Sequence, residues 1–306
     1  MAVPQLSSTP RTFLTALAAV GVLTLAACGD GESEEAAEAP EVPEVDVDEE
    51  LGELVPDEIR EEGLVTIGVE AEYPPGEYLD DDGETVLGFN VDLITAALTK
   101  LGLEVEWTPS NFDSIIIGVD TGKHTLGASS FTVTEERMEA VNMVSYFSSG
   151  TQWFALEGNP EDVDPDNACG MRIAVQTGTT HDDDIEARSQ ECVDTGEEAI
   201  TIEKFQNQPL ATASIISGVN DASLADLPTS LYALQESGDQ LEFIGDQYDA
   251  APYGVLTHLD DEEMAEALAA AFNAIIEDGT YEEILQEWGI EVGALETSEV
   301  NPDVEE

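Results

Sequence analysis

The sequence predicts an α/β protein built from two similar halves, and three observations lead there. Short β-branched runs alternate with amphipathic helical segments, the pattern of parallel strands joined by crossover helices. The length of 306 residues suits about two domains of ordinary size. The strand–helix rhythm restarts after Thr151, so each half reads as a Rossmann-like lobe with a core of its own.

In the first half, Leu64-Val65-Thr66-Ile67-Gly68-Val69 reads as a buried strand. Gly88-Phe89-Asn90 opens a helix whose apolar residues Val91, Leu93, Ile94, Ala97, Leu98 and Leu101 fall near the 3.6-residue period. Val105 and Trp107 mark the next strand, Phe112 to Val119 a second amphipathic helix ending in Gly122, and Leu126 to Ser130 a short strand. In the second half, Arg172 to Gln176, Ile200 to Ile202 and Ala222 to Ala225 read as strands. Helices are expected from Gly178-Thr179-Thr180 onward, over Leu210 to Ser217 and over Pro228 to Glu236. Two further helices, Glu262 to Glu277 and Tyr281 to Trp288, flank Asp278-Gly279, and an acidic, loose tail is expected after Gly293.

The formal net charge is -60, from 68 Asp and Glu against 8 Lys and Arg, yet 42% of residues are apolar. A chain with that apolar content in periodic blocks folds, and its acids belong on a solvated, salt-adapted surface. At about 1 M salt the Debye length is only ~3 Å, which screens repulsion among such carboxylates. Nucleic acid is excluded as a partner, since it requires basic patches.

The N-terminus reads as a targeting segment: Arg11, then a short apolar run from Phe13 to Ala27. It ends Leu25-Ala26-Ala27-Cys28-Gly29, which resembles a bacterial lipobox with Cys28 lipidated after cleavage. Asp30 to Glu53, rich in Glu, Asp, Ala, Pro and Val, has no period and is expected to be an extended, self-repelling tether. In an exported protein the remaining cysteines, Cys169 and Cys192, most simply pair. No metal or cofactor is expected, because there is no CxxC and His124, His181 and His258 are scattered.

Arg137 ends the stretch Ser129-Ser130-Phe131-Thr132-Val133-Thr134-Glu135-Glu136-Arg137. A guanidinium is a planar fork that matches a carboxylate, and neighbouring hydroxyls can complete an anion's shell. Gln176-Thr177-Gly178-Thr179-Thr180-His181 is a second anion cradle at a helix start, with plain capping as the alternative. Asp226 closes a strand where α/β sheets place ligands and could pair an ammonium, or else cap the helix at Pro228. Tyr73 and Phe112 could sandwich a ligand, or simply pack in the core.

Together these segments resemble the family 3 solute-binding proteins of polar amino-acid ABC transporters, from about Pro56 to Gly289. The resemblance is carried by Val69-Glu70-Ala71-Glu72-Tyr73-Pro74-Pro75, Gly88-Phe89-Asn90-Val91-Asp92-Leu93, the two cradles, Ala222-Ser223-Leu224-Ala225-Asp226 and Asp278-Gly279-Thr280-Tyr281 through Trp288-Gly289. It implies two lobes joined by two hinge strands, with the ligand in the cleft between them. The expected division is 1–27 signal peptide, 28–55 tether, 56–151 plus 250–290 first lobe, 152–249 second lobe and 291–306 tail.

By that resemblance Arg137 takes the ligand carboxylate with Thr132 and Thr180, and Asp226 with the Ser129-Ser130 region takes the ammonium. Tyr73 and Phe112 flank the side chain, Glu70 and His181 lie near its tip, and Gln176, Gly178 and Thr179 complete the wall. The chain departs from the family at Asn90, where an acid is common, and at Gly76, where an aromatic is common. The implied protein is a lipid-anchored, monomeric receptor at the extracellular face of the membrane, handing a basic amino acid or glutamine to ABC permease subunits. The alternative is a dehydratase-like or wall-lytic enzyme on the same fold.

Overall fold

A computed structural model describes residues 43–304. The signal segment, Cys28 and most of the expected tether lie outside the described residues.

The chain runs α1 (Glu49–Gly52), α2 (Asp57–Glu62), β1 (Leu64–Val69), β2 (Glu72–Tyr73), β3 (Glu77–Leu79), β4 (Val86–Leu87), α3 (Phe89–Lys100), β5 (Glu104–Pro109), α4 (Phe112–Asp120), β6 (Leu126–Gly127) and α5 (Glu135–Met138). It continues through β7 (Val141–Leu156), β8 (Arg172–Gln176), α6 (Thr180–Thr195), β9 (Thr201–Phe205), α7 (Gln208–Ile216), β10 (Ala222–Asp226), α8 (Leu227–Glu236), β11 (Leu241–His258), α9 (Glu262–Asp278) and α10 (Thr280–Trp288).

One sheet passes through both lobes, in the order β5-β1-β6-β11-β7-β10-β8-β9. β1 lies between parallel β5 and β6, and a strand paired on both sides and covered by helices must be apolar nearly throughout, as Val65, Ile67 and Val69 are. In the second lobe β8 is the inner strand, parallel to both β9 and β10. The long β7 and β11 run antiparallel through both lobes, and their register shifts between Ile244 and Tyr248 and between Tyr248 and Ala251. These two strands carry no alternating or helical signature of their own, and periodicity did not mark them.

The first-lobe core gathers α3, α9 and α10 over the sheet, with Leu93, Ile94, Leu98, Leu268, Phe272 and Leu285 buried together. A separate core under α6 holds Trp153, Ile173, Val175, Ile185 and Leu224. The Cys169–Cys192 disulfide closes beside it.

Two expectations are corrected. The tether was expected to extend to residue 55, but Val45 and Leu51 already pack against the first-lobe core, Val55 is buried within it, and the Asp48 N–H donates to the Lys100 carbonyl at 2.8 Å. The tail expected to be loose is a strap. The Ser145 N–H donates to the Glu299 carbonyl at 2.9 Å, the Met143 N–H donates to Asn301 Oδ1 at 2.8 Å, and Val300 bridges Val144. It covers the edge of β7 on the first-lobe side, where unpaired backbone groups would otherwise face solvent.

Candidate functional site

Arg137 is set by local structure. Thr134 caps the short α5 by accepting the Arg137 N–H at 3.2 Å, and Arg137 Nη1 donates to the Thr132 carbonyl at 2.8 Å. The guanidinium lies over Phe112 and Phe131, 5.7 and 5.3 Å from their ring centroids, and those rings stack at 4.4 Å. Among the described residues Arg60, Lys100, Arg172, Arg188 and Lys204 each pair with a carboxylate, whereas Arg137 has no ion-pair partner. Burial lowers its pKa to about 10, opposed by Asp183, Asp226 and Glu136, so it remains a cation at neutral pH. A stacked guanidinium with donors to spare is equipped to take a carboxylate.

The second lobe faces it with the start of α6. Thr179 caps this helix, accepting the Asp182 N–H at 3.2 Å while donating to the Gln176 carbonyl at 2.8 Å. Capping is thus what the structure shows at this helix start, and the Gly178 N–H is taken by Asp182 Oδ2 at 3.1 Å. Gly178 places its carbonyl 3.3 Å from Arg137 Nη2, a hydrogen bond between the lobes.

Asp226 stands at the N-cap position of α8 but its side chain makes no capping bond. Its Oδ2 instead accepts the Tyr73 hydroxyl at 2.8 Å, and its N–H donates back to that hydroxyl at 3.2 Å. His181, expected near the ligand side-chain tip, has Nε2 3.9 Å from Asp226 Oδ1. Burial lowers the His181 pKa, which keeps the ring neutral. Burial raises that of Asp226, while His181, Tyr73, Tyr253 and Arg137 pull it down.

These side chains converge on one pocket between the lobes, lined by Tyr73, Phe112, Ser129, Ser130, Thr132, Arg137, Gln176, Thr179, Thr180, His181 and Asp226. Of the residues singled out from sequence, Glu70 and Gly178 are outside that lining. Glu70 borders a second pocket, or chamber, with Ser110, Asn111 and Gln206. Its carboxylate is buried, one oxygen has no hydrogen-bond partner, and burial with the charge of Glu72 raises its pKa to about 8.

Two further lobe-to-lobe bonds rim that chamber. Gln206 Nε2 donates to Asn111 Oδ1 at 2.8 Å, and Asn207 Nδ2 donates to Glu72 Oε2 at 2.5 Å. Sequence reading places Glu72 beside the aromatic wall but does not single out Asn111, Gln206 or Asn207, nor Glu77, which is buried beneath Ser129 and Ser130. In a chain with 68 acids, a single acid after Pro-Pro-Gly gives no signal. The departure at Gly76 has a local reason: a Cβ there would stand 2.9 Å from Asn90 Nδ2 and 3.0 Å from Ser130 Oγ.

The profile of bacterial extracellular solute-binding proteins, family 3, matches residues 65–291. The chain is 35% identical to the arginine-binding protein ArgT of Corynebacterium glutamicum over 289 residues, covering 93% of this chain and 94% of that protein. It is 23% identical to the L-cystine-binding protein TcyJ of Escherichia coli K12, over 75% of this chain and 84% of that one. Among solved structures, an ancestral arginine-binding protein bound to arginine superposes with a TM-score of 0.68 at 29% identity, covering 74% of this chain and 98% of that chain.

Proposed function

The chain belongs to the bacterial extracellular solute-binding proteins of family 3, and from that premise we propose that it captures arginine, or a closely related cationic amino acid, for an ABC importer. The observation that carries this reading is a match of charges around the cleft. Arg137 can answer a carboxylate, Asp226 an ammonium, and Glu70, buried with an unpartnered oxygen, a second cation. A basic amino acid brings one anion and two cations, the complement of that set. Among the described residues, the two pockets are lined by no guanidinium or ammonium besides Arg137 that could pair the side-chain carboxylate of glutamate.

The similarity to arginine-binding relatives supports the same choice. In this reading the ligand carboxylate lies on Arg137 and the start of α6, the ammonium by Asp226, Ser129 and Ser130, and the aliphatic stem between Tyr73 and Phe112. The closed receptor then delivers its ligand to permease subunits. Cys28 holds it to the extracellular face of the membrane, and the protein binds its ligand unchanged.

Calorimetric titration with arginine, lysine, glutamine, cystine and glutamate tests this. Arginine is expected to bind tightest and to be recovered chemically intact. A preference for glutamate or cystine would overturn the assignment.

A further inference from the structure

We propose that Glu77 is a positioning residue that sets specificity for the ligand ammonium, by taking the hydroxyl protons of both Ser129 and Ser130. The serines then meet the ligand as acceptors only. This rests on the reading that an amino acid occupies the cleft.

The assignment follows from counting donors. A serine hydroxyl has one proton and two lone pairs. Ser129 Oγ accepts the Glu70 N–H at 3.1 Å and lies 3.1 Å from Glu77 Oε1; its other acceptor, the Glu70 carbonyl, is more distant at 3.4 Å. Ser130 Oγ accepts from Asn90 Nδ2 at 2.8 Å and lies 3.1 and 3.3 Å from the two Glu77 oxygens. Asn90 Nδ2 also reaches Glu77 Oε2 at 2.5 Å. When Glu77 is ionised in the ligand-bound state, both protons lie on the carboxylate and each hydroxyl keeps one lone pair for the cavity that Ser129 and Ser130 line. An ammonium has donors and no acceptor, so it fits this end, and a carboxylate does not.

The backbone is committed to the same arrangement. Ser130 has φ +49, and Gly76 leaves the space that Asn90 and Ser130 need. Glu77 itself is 1% exposed and has no ion-pair partner among the described residues. The titratable groups facing it are Glu70 and Tyr146, whose buried hydroxyl has no hydrogen-bond partner. Burial pushes the Glu77 carboxyl up to about 8, the Asn90 amide pulling down and the Glu70 charge pushing further up. The arriving ammonium supplies the cation this site lacks, so its binding expels a proton from Glu77.

The test titrates the full chain, wild type and Glu77→Gln, with arginine and with 5-guanidinopentanoate, which lacks the α-ammonium. Glu77→Gln should weaken arginine by about 10-fold or more and the analogue by less than about 3-fold, since only the ammonium loses its oriented acceptors. The empty variant should melt close to wild type, because Glu77 is already protonated in the empty protein at neutral pH and glutamine is its neutral counterpart. Proton release on arginine binding, from heats in two buffers, should fall in the variant.

Ser130→Ala should show the same selective loss, and it stands in if Glu77→Gln does not fold. Wild-type arginine affinity in Glu77→Gln, or equal losses for both ligands with a lower melting temperature, overturns the proposal. Failure of the wild-type chain to bind arginine would instead overturn the reading on which it rests.

Discussion

The Tyr73 hydroxyl of the first lobe and Asp226 of the second are joined twice. The hydroxyl donates to Oδ2 at 2.8 Å and accepts the Asp226 N–H at 3.2 Å. Sequence reading assigned Tyr73 to the aromatic wall and Asp226 to an ammonium. Their pairing means that the carboxylate facing the cavity is oriented by the opposite lobe, which in the proposed function would link ligand recognition to contact between the lobes.

Tyr73→Phe keeps the ring and removes that bond, leaving a buried carboxylate short of one donor. The expected cost is roughly 1–3 kcal/mol in ligand binding, measured by calorimetry. X-ray scattering of the empty protein should show a shift toward a more open particle. Unchanged affinity and unchanged scattering would separate Tyr73 from closure.

Arg137→Ala should weaken amino-acid binding by roughly 2–5 kcal/mol, because the ligand carboxylate would be buried without its partner. Arg137→Lys should recover only part of this. Lysine keeps the charge but loses the planar fork and the flat contact with Phe112 and Phe131. Full affinity in Arg137→Lys would show that charge alone suffices.

Glu70 makes stability depend on pH with a definite sign. Its carboxyl is raised from 4.5 to about 8 in the folded protein, so between those values the folded state holds a proton that the unfolded chain releases. Stability must therefore fall as pH rises through that window. The melting temperature of wild type should drop more between pH 5 and 8 than that of Glu70→Gln. Saturating arginine should shrink the difference, since a cation beside Glu70 favours its ionised form. Equal slopes in the two proteins would remove Glu70 from the account.

Most repeating elements were legible because burial on one face leaves a period in the sequence. The helix at Phe89–Lys100 and the strand at Leu64–Val69 are examples. β7 and β11 were not legible, since β7 is buried on both faces along nearly its whole length and β11 passes from a mostly exposed middle to a fully buried end, so neither leaves an alternating pattern. The strap from Glu291 to Val304 was misread because its acids suggested solvation. It is held by backbone bonds and by Ser298 and Asn301, and those interactions do not register as hydrophobicity. For Asp226, sequence left capping and ligand binding both open, and the geometry assigned its side chain to Tyr73.

The sequence by itself determined the α/β class, the two-lobed plan and most of the residues lining the cavity. Those properties reside in local patterns and in rare residues such as Arg137. Only the tertiary structure decided how the charges are arranged. Glu77 lies beneath Ser129 and Ser130, Glu70 is buried beside Glu72, and Asp226 is held by Tyr73 from across the cleft. The physical reason is that a carboxylate's role depends on its burial and on the donors around it. In a chain where 68 acids look alike in sequence, long-range packing alone sets those few apart.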